Sequence, residues 1–159
     1  MIRVAILTVS DQAAAGQRRD SSGEAAREWV ERNGWSLVEH LVVPDETGPI
    51  SAQLARWADG GQVDLIVTLG GTGFGPRDTT PEATSAILER HAPGLAESLR
   101  ASGMRSTPFA MLGRGLAGIR GRALIVNLPG SEQAVGDGLE ILAQVVSHAV
   151  ELLRGRTEH

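Results

Sequence analysis

The chain has 159 residues, of which 42% are hydrophobic and 21% charged, as expected for a globular protein with a substantial core. Its net charge of -4 argues against a general nucleic-acid surface or a polybasic membrane surface. The absence of cysteine excludes disulfides, thiolate metal ligands and a cysteine nucleophile. No signal peptide and no apolar run of roughly 18 residues are recognisable. We therefore expect one domain over residues 1–159, located in the cytoplasm and binding neither nucleic acid nor membrane.

Short apolar runs alternate with amphipathic segments along the whole chain. In chain order the pattern predicts a strand at 3–9, a helix at 24–33, a strand at 37–43, a helix at 49–58, a strand at 63–69, helices at 81–90 and 93–102, two short strands within 116–128, and a long helix ending near 153. This alternation is typical of a three-layer α/β/α domain with a mainly parallel sheet. In such sheets ligands bind at the carboxyl ends of the strands.

A glycine cluster follows the third predicted strand of the parallel sheet. Gly70-Gly71-Thr72-Gly73 allows backbone N–H groups to surround an anion, and a helix predicted to begin with Thr80 as N-cap adds its positive end. The chain contains no lysine, so this is not a P-loop, and the glycines do not have dinucleotide-fold spacing. Arg77 and Asp78 strengthen the phosphate-site interpretation, although an ordinary turn with an Arg77–Asp78 ion pair is the alternative.

Three further polar clusters follow predicted strands. Asp45 and Asp78 are the candidate ligands of a divalent cation for phosphate chemistry, while Asp45 alone also fits a solvated turn. Ser10 and Asp11 are candidates for contact with nucleotide hydroxyls, or they turn the chain or cap a helix. Ser131 is expected to cap the last helix, and its glycine turn is either a simple helix start or a second anion site.

Two other features have open interpretations. The polar segment 12–23 contains arginines and is either a loop that covers the site or a flexible surface loop. The four histidines share no spacing and are expected to be structural or exposed: His40, His91, His148 and His159.

Together these motifs resemble the molybdopterin adenylyltransferases of the Mog and MoaB type. The resemblance spans nearly the whole chain and rests on these segments: Thr8-Val9-Ser10-Asp11, Val43-Pro44-Asp45-Glu46, Gly70 to Ala83, Ala117-Gly118-Ile119-Arg120-Gly121 and Asn127-Leu128-Pro129-Gly130-Ser131. It implies transfer of AMP from Mg-ATP to the terminal phosphate of molybdopterin, with release of pyrophosphate. It also implies a homotrimer and contact with other molybdenum-cofactor enzymes.

The resemblance assigns roles to individual residues. Asp45 and Asp78 would be the catalytic acids and Mg²⁺ ligands. The implied nucleotide-binding residues are Ser10, Asp11, Gly70, Gly71, Thr72, Gly73 and Arg77. The implied molybdopterin-binding residues are Arg114, Asn127, Pro129, Gly130 and Ser131.

The chain departs from the family pattern at Gly113, where serine is usual. The missing hydroxyl leaves open a non-catalytic carrier of molybdopterin with the same fold. A pyrophosphatase-like hydrolase is a third possibility, but no side chain is an evident base to activate water.

Overall fold

The computed structural model describes residues 1–157, and His159 therefore lies outside the described residues. A six-stranded sheet with the order β2-β1-β3-β6-β5-β4 forms its centre. The strands are β1 Arg3–Val9, β2 Ser36–Val43, β3 Leu65–Leu69, β4 Arg90–His91, β5 Ala117–Arg120 and β6 Ala123–Leu128. The first three strands and β6 are parallel, whereas β5 is antiparallel to both β4 and β6. The predicted α/β fold with a mainly parallel sheet is confirmed.

Helices cover both faces of the sheet. They are α1 Asp11–Ala14, α2 Ser21–Arg32, α3 Thr47–Asp59, α4 Thr80–Ser85, α5 Pro93–Gly103, α6 Glu132–Ala143 and α7 Val146–Leu153, with a 3₁₀ turn at Pro108–Leu112. Because side chains alternate along a strand, Val4 and Ile6 pack with α2, α6 and α7, while Ala5 and Leu7 pack with α3 on the opposite face. No helix within residues 1–157 is both long and apolar enough to cross a membrane.

Two predicted helices are wrong in extent. The helix predicted at 81–90 ends at Ser85, because the backbone that follows pairs with β5: the N–H of Glu89 donates to Ile119 O at 2.9 Å. The long carboxyl-terminal helix is divided into α6 and α7 at Val145, whose φ of -127° is not helical. This break keeps Val146 fully buried.

Two local predictions are also corrected. The N-cap position of α4 is Thr79, and Thr80 lies inside the helix, where its hydroxyl donates to Gly70 O at 3.0 Å. The segment 12–23 is not wholly a loop, because it includes most of α1 and the first turn of α2. Ser131 is the N-cap of α6, as predicted, with its Oγ accepting from the N–H of Ala134 at 3.2 Å.

Candidate active site

The carboxyl ends of the parallel strands meet at one edge of the sheet, which we call the carboxyl edge. The last residues of β1 and β2, Val9 and Val43, are register partners, and so are Leu69 and Leu128 at the ends of β3 and β6. The four polar clusters that follow these strands are therefore brought together. They contain Ser10 and Asp11, Asp45, the loop Gly70 to Gly73 with Asp78, and Pro129 to Ser131.

The glycine loop requires glycine at its first two positions. Gly70 and Gly71 have φ values of +102° and +68°, which residues with a side chain rarely adopt. A Cβ at Gly70 would lie 2.4 Å from Val9 O, and one at Gly71 would lie 2.3 Å from Thr80 Oγ1 and 3.1 Å from Asp45 Oδ1. The loop thus passes close to both β1 and the carboxylate of Asp45.

Asp45 and Asp11 bind each other's backbone. The N–H of Asp11 donates to Asp45 Oδ2 at 2.9 Å, and the N–H of Asp45 donates to Asp11 Oδ1 at 3.0 Å. Burial raises the pKa of Asp45, and the negative charges of Asp11 and Asp78 raise it further; together they outweigh the lowering effects of the hydrogen bond from Asp11 and of the Arg77 charge. The site therefore holds an under-compensated carboxylate, which a cation would stabilise.

Arg77 pairs with Asp11 and not with Asp78. Its Nε and Nη2 atoms donate to the two carboxylate oxygens of Asp11 at 3.1 and 3.0 Å. Glu46 Oε1 lies 3.9 Å from the same Nη2. The hydrogen bonds from Arg77 lower the pKa of Asp11 below its usual range. Asp78 instead accepts from the N–H of Gly75 at 2.9 Å. The alternative of an Arg77–Asp78 pair is therefore wrong.

The two predicted metal ligands each keep one oxygen available. Across residues 1–157, the Oδ1 atoms of Asp45 and Asp78 accept no hydrogen bond. No group of three or more histidine, aspartate or glutamate side chains in this part of the chain could hold a metal ion. Mg²⁺ commonly binds through one or two carboxylates, substrate phosphates and water. Each of the two aspartates thus has one carboxylate oxygen with which a cation could be bound.

Two adjacent cavities open at the carboxyl edge. The smaller, about 310 Å³, includes Ser10, Asp45 and Gly70 among its lining residues. The larger, about 610 Å³, is lined by Thr72, Gly73 and Pro129 together with the apolar side chains of α5 and the 3₁₀ turn. Both cavities are bordered by Gly71, Asp78, Gly130 and Ser131. A polar site and a more apolar site thus share one boundary.

A family model described as a probable molybdopterin binding domain matches residues 5–148. The chain belongs to this family. The resemblance to molybdenum-cofactor biosynthesis proteins, first indicated by the motifs, is confirmed.

Three relatives illustrate the match. The molybdopterin adenylyltransferase of Helicobacter pylori strain J99 is 36% identical over 156 residues, covering 97% of this chain and 89% of that enzyme. The molybdenum cofactor synthesis protein cinnamon of Drosophila melanogaster is 40% identical over 153 residues, covering 96% of this chain but 26% of that protein. The crystal structure of the molybdopterin biosynthesis enzyme MoaB from Thermus thermophilus has a TM-score of 0.91 and 48% identity, covering 98% of both chains.

Asn127, which the sequence predicts to bind molybdopterin, is buried in the sheet. Its Nδ2 donates to Thr68 Oγ1 at 2.9 Å and to Thr84 Oγ1 at 3.0 Å, and its Oδ1 accepts from the N–H of Leu116 at 3.0 Å. These bonds tie β6 to β3, α4 and the segment before β5. Asn127 therefore positions the wall of the larger cavity, and its contact with a ligand stays a prediction.

Arg114 supports the glycine loop, and its sequence neighbours Gly113 and Gly115 line the larger cavity. Its Nε donates to Gly73 O at 2.8 Å and its Nη2 to Asp78 O at 2.7 Å, while Nη1 pairs with Glu82. These contacts fix the backbone that presents Asp78. Its predicted direct contact with the pterin stays a prediction.

Pro129 and Gly130 bring the second glycine turn against the first. A Cβ at Gly130 would lie 3.4 Å from Gly70 Cα, and the hydroxyl of Ser22 donates to Gly130 O at 2.7 Å. Ser10 caps α1 through a bond from the N–H of Ala13 at 3.1 Å, which is the capping role considered from the sequence.

Arg100, which lies in α5, is not among the site residues predicted from the sequence. Its Nη1 donates to Gly113 O at 2.8 Å and to Gly115 O at 3.3 Å, and it lines the larger cavity. An arginine within a helix gives no local signal of such a role, because its partners belong to a distant loop. A Cβ at Gly113 would lie 3.1 Å from Ala110 O, which is a tight contact.

Proposed function

We propose that this chain is a molybdopterin adenylyltransferase, transferring AMP from Mg-ATP to the terminal phosphate of molybdopterin and releasing pyrophosphate. The observation that carries the proposal is the shared boundary of the two cavities, where Asp78 and Ser131 lie between a polar site and a more apolar one. Adenylyl transfer requires two phosphorylated substrates to meet. The activity named for the Helicobacter pylori relative supports the same reaction.

The smaller cavity suits the nucleotide phosphates and the larger cavity suits the pterin. Within residues 1–157 the backbone N–H groups of Gly71, Thr72 and Gly73 donate to no other group and can face an anion, whereas that of Gly70 donates to Leu128 O at 3.0 Å. The larger cavity has an apolar wall formed by Leu99, Phe109 and Leu112, against which a flat heterocycle can pack.

The reaction needs little chemistry from side chains. An oxygen of the molybdopterin phosphate is already anionic and forms a new bond to the α-phosphorus of ATP. The bond from that phosphorus to the bridging oxygen breaks, and pyrophosphate leaves with the electron pair. The protein has to align the two phosphates and offset their charge, so a general base is not required.

Asp45 and Asp78 would hold Mg²⁺, since each has one carboxylate oxygen that accepts no hydrogen bond within residues 1–157. When bound, the ion neutralises charge on the phosphates and the leaving group. Arg77 holds Asp11, and the backbone of Asp11 in turn holds Asp45 in place. Asp11 and Arg77 are therefore proposed as positioning residues at the mouth of the nucleotide cavity.

The direct test is incubation of the purified chain with molybdopterin and Mg-ATP, followed by mass spectrometry of the pterin and an assay for pyrophosphate. We expect adenylylated molybdopterin and pyrophosphate in equal amounts, with both lost on addition of a chelator. Binding of molybdopterin without transfer would instead support the carrier. Phosphate release without pterin modification would support the hydrolase.

The homotrimer, the cytoplasmic location and contacts with other molybdenum-cofactor enzymes belong to this proposal as well. The family resemblance supports the homotrimer and these contacts, and the composition of the sequence is the basis for the location. Sedimentation equilibrium would test the homotrimer, and a monomeric mass at micromolar concentration would contradict it.

A further inference from the structure

The loop between α1 and α2 carries two adjacent arginines along the wall of the smaller cavity. Arg19 is paired with Glu24, its Nε donating to Glu24 Oε1 at 3.1 Å. Within residues 1–157, the side chain of Arg18 makes neither an ion pair nor a hydrogen bond, although it lines the same cavity. Arg18 is therefore a charge beside the cavity that no neighbouring side chain neutralises.

The end of this loop is held in place by a cluster of partly buried polar groups. The hydroxyl of Thr8 donates to Asp20 Oδ2 at 2.7 Å, and His40 Nε2 lies 3.0 Å from the same oxygen. Asp20 Oδ1 accepts from the N–H of Gly23 at 2.9 Å, which caps α2. Because a Cβ at Gly23 would lie 2.2 Å from Asp20 Oδ2, the packing leaves no space there. Arg18 is thus two residues from a rigid anchor.

The cavity presents opposite charges on its walls. Asp45 and Asp78 contribute carboxylates from the sheet, and Arg18 contributes a guanidinium from the loop. A polyphosphate with its divalent cation carries both complementary charges, and guanidinium groups bind phosphate oxygens strongly.

The position of the shared boundary decides which phosphates Arg18 can reach. If each cavity holds one of the two proposed substrates, the α-phosphate lies at Gly71, Asp78, Gly130 and Ser131, because these residues line both cavities. Arg18 lines the smaller cavity and is not among the lining residues of the larger one. We propose that Arg18 binds the β- and γ-phosphates, so that the site distinguishes a nucleoside triphosphate from a monophosphate. This inference rests on the proposed function.

Calorimetric titrations of the Arg18→Ala variant with Mg-ATP and with pyrophosphate, without molybdopterin, test the inference, with AMP measured as a competitor. We expect the dissociation constants of Mg-ATP and pyrophosphate to rise about tenfold or more, since a charge-assisted hydrogen bond is lost. The AMP constant should change less than about twofold. Arg18→Lys should retain part of the affinity because it keeps the charge.

Arg122→Ala is the matched control, since Arg122 is exposed in the turn at the opposite edge of the sheet and its loss removes the same charge. It should leave all three constants unchanged. Circular dichroism would verify that each variant is folded. If Arg18→Ala weakened the binding of ATP and AMP equally, or weakened neither, the inference about Arg18 would be overturned while the proposed function would stand. Failure of the unmodified chain to bind Mg-ATP would overturn the proposed function and this inference together.

Discussion

Two aspartates at opposite ends of the sheet have opposite environments. Asp64 precedes β3 and is 3% exposed, and its carboxylate accepts from the backbone N–H and guanidinium of Arg3 and from Arg154. Asp45 follows β2 at the carboxyl edge and accepts from one backbone N–H, that of Asp11. Asp64 therefore joins the amino-terminal strand to the end of α7, whereas Asp45 keeps an oxygen available.

The balance between burial and hydrogen bonding separates the two. Burial raises the pKa of both carboxyls. At Asp64 the hydrogen bonds from Arg3 and Arg154 outweigh burial and leave the pKa below its usual value. At Asp45 the single hydrogen bond does not, and the charges of Asp11 and Asp78 add to the effect of burial. A buried acid paired within the fold stabilises it, and one left under-compensated is prepared to bind a cation.

The largest expected effect on adenylyl transfer comes from removing the charge of an aspartate, and it should depend on which end of the sheet the aspartate occupies. Asp78→Asn and Asp45→Asn should reduce adenylyl transfer about 100-fold or more, because they remove the ligands of the cation that offsets phosphate charge. Asp64→Asn should keep near-normal turnover at a temperature where it remains folded. Steady-state kinetics of the three purified variants would check this, and near-normal turnover of Asp78→Asn would remove that residue from the site.

Two glycines with the same backbone conformation provide a second matched pair. Gly61 and Gly71 have φ values of +70° and +68°, but a Cβ at Gly61 meets nothing within 4 Å. Gly61→Ala should lower the free energy of unfolding by only about 1–2 kcal/mol of backbone strain. Gly71→Ala also clashes with Thr80 and Asp45, so it should lose considerably more stability as well as Mg-ATP binding. Urea unfolding would measure the difference, and equal effects would contradict the close approach at Gly71.

The pH dependence of stability should have opposite signs at the two aspartates. The stabilisation from Asp64 is present above the unfolded pKa and is lost as pH falls through its lowered folded pKa. The penalty from Asp45 is present at neutral pH and is relieved as pH falls through its raised folded pKa.

Asp64→Asn should therefore destabilise the chain at neutral pH by about 1–2 kcal/mol. The effect is limited because solvent screens the two partly exposed arginines. Asp45→Asn should stabilise it at neutral pH, and this gain should disappear in acid. Thermal unfolding of both variants from neutral pH downward would test the pair of signs. A loss of stability in Asp45→Asn at neutral pH would contradict the under-compensated carboxylate.

The smallest expected effect is at Gly113, in the wall of the larger cavity. Gly113→Ser adds the hydroxyl that the sequence resemblance leads us to expect there, and it requires a small shift away from Ala110 O. We expect molybdopterin to bind a few-fold more tightly and Mg-ATP to bind as before. Weaker binding of both substrates would show that the substitution distorts the site.

The sequence predicted the parts of the site that depend on local pattern. Strand ends, the Gly70–Gly73 loop and the Ser131 cap could be placed because apolar runs, glycines and capping residues are read over a few positions. The pairing of Arg77 with Asp11 could not be predicted, since it joins residues 66 positions apart. The early end of α4 and the enclosed position of Asn127 likewise depend on contacts with β5 and β3 that no local pattern reveals.

The most direct test of the carboxyl edge as the nucleotide site is a crystal structure of the chain with Mg²⁺ and a non-hydrolysable ATP analogue. The account predicts the metal on Asp45 and Asp78, the phosphates against the Gly70–Gly73 loop, and the β- and γ-phosphates toward Arg18. A nucleotide bound elsewhere, or at this edge with its metal away from both aspartates, would contradict it.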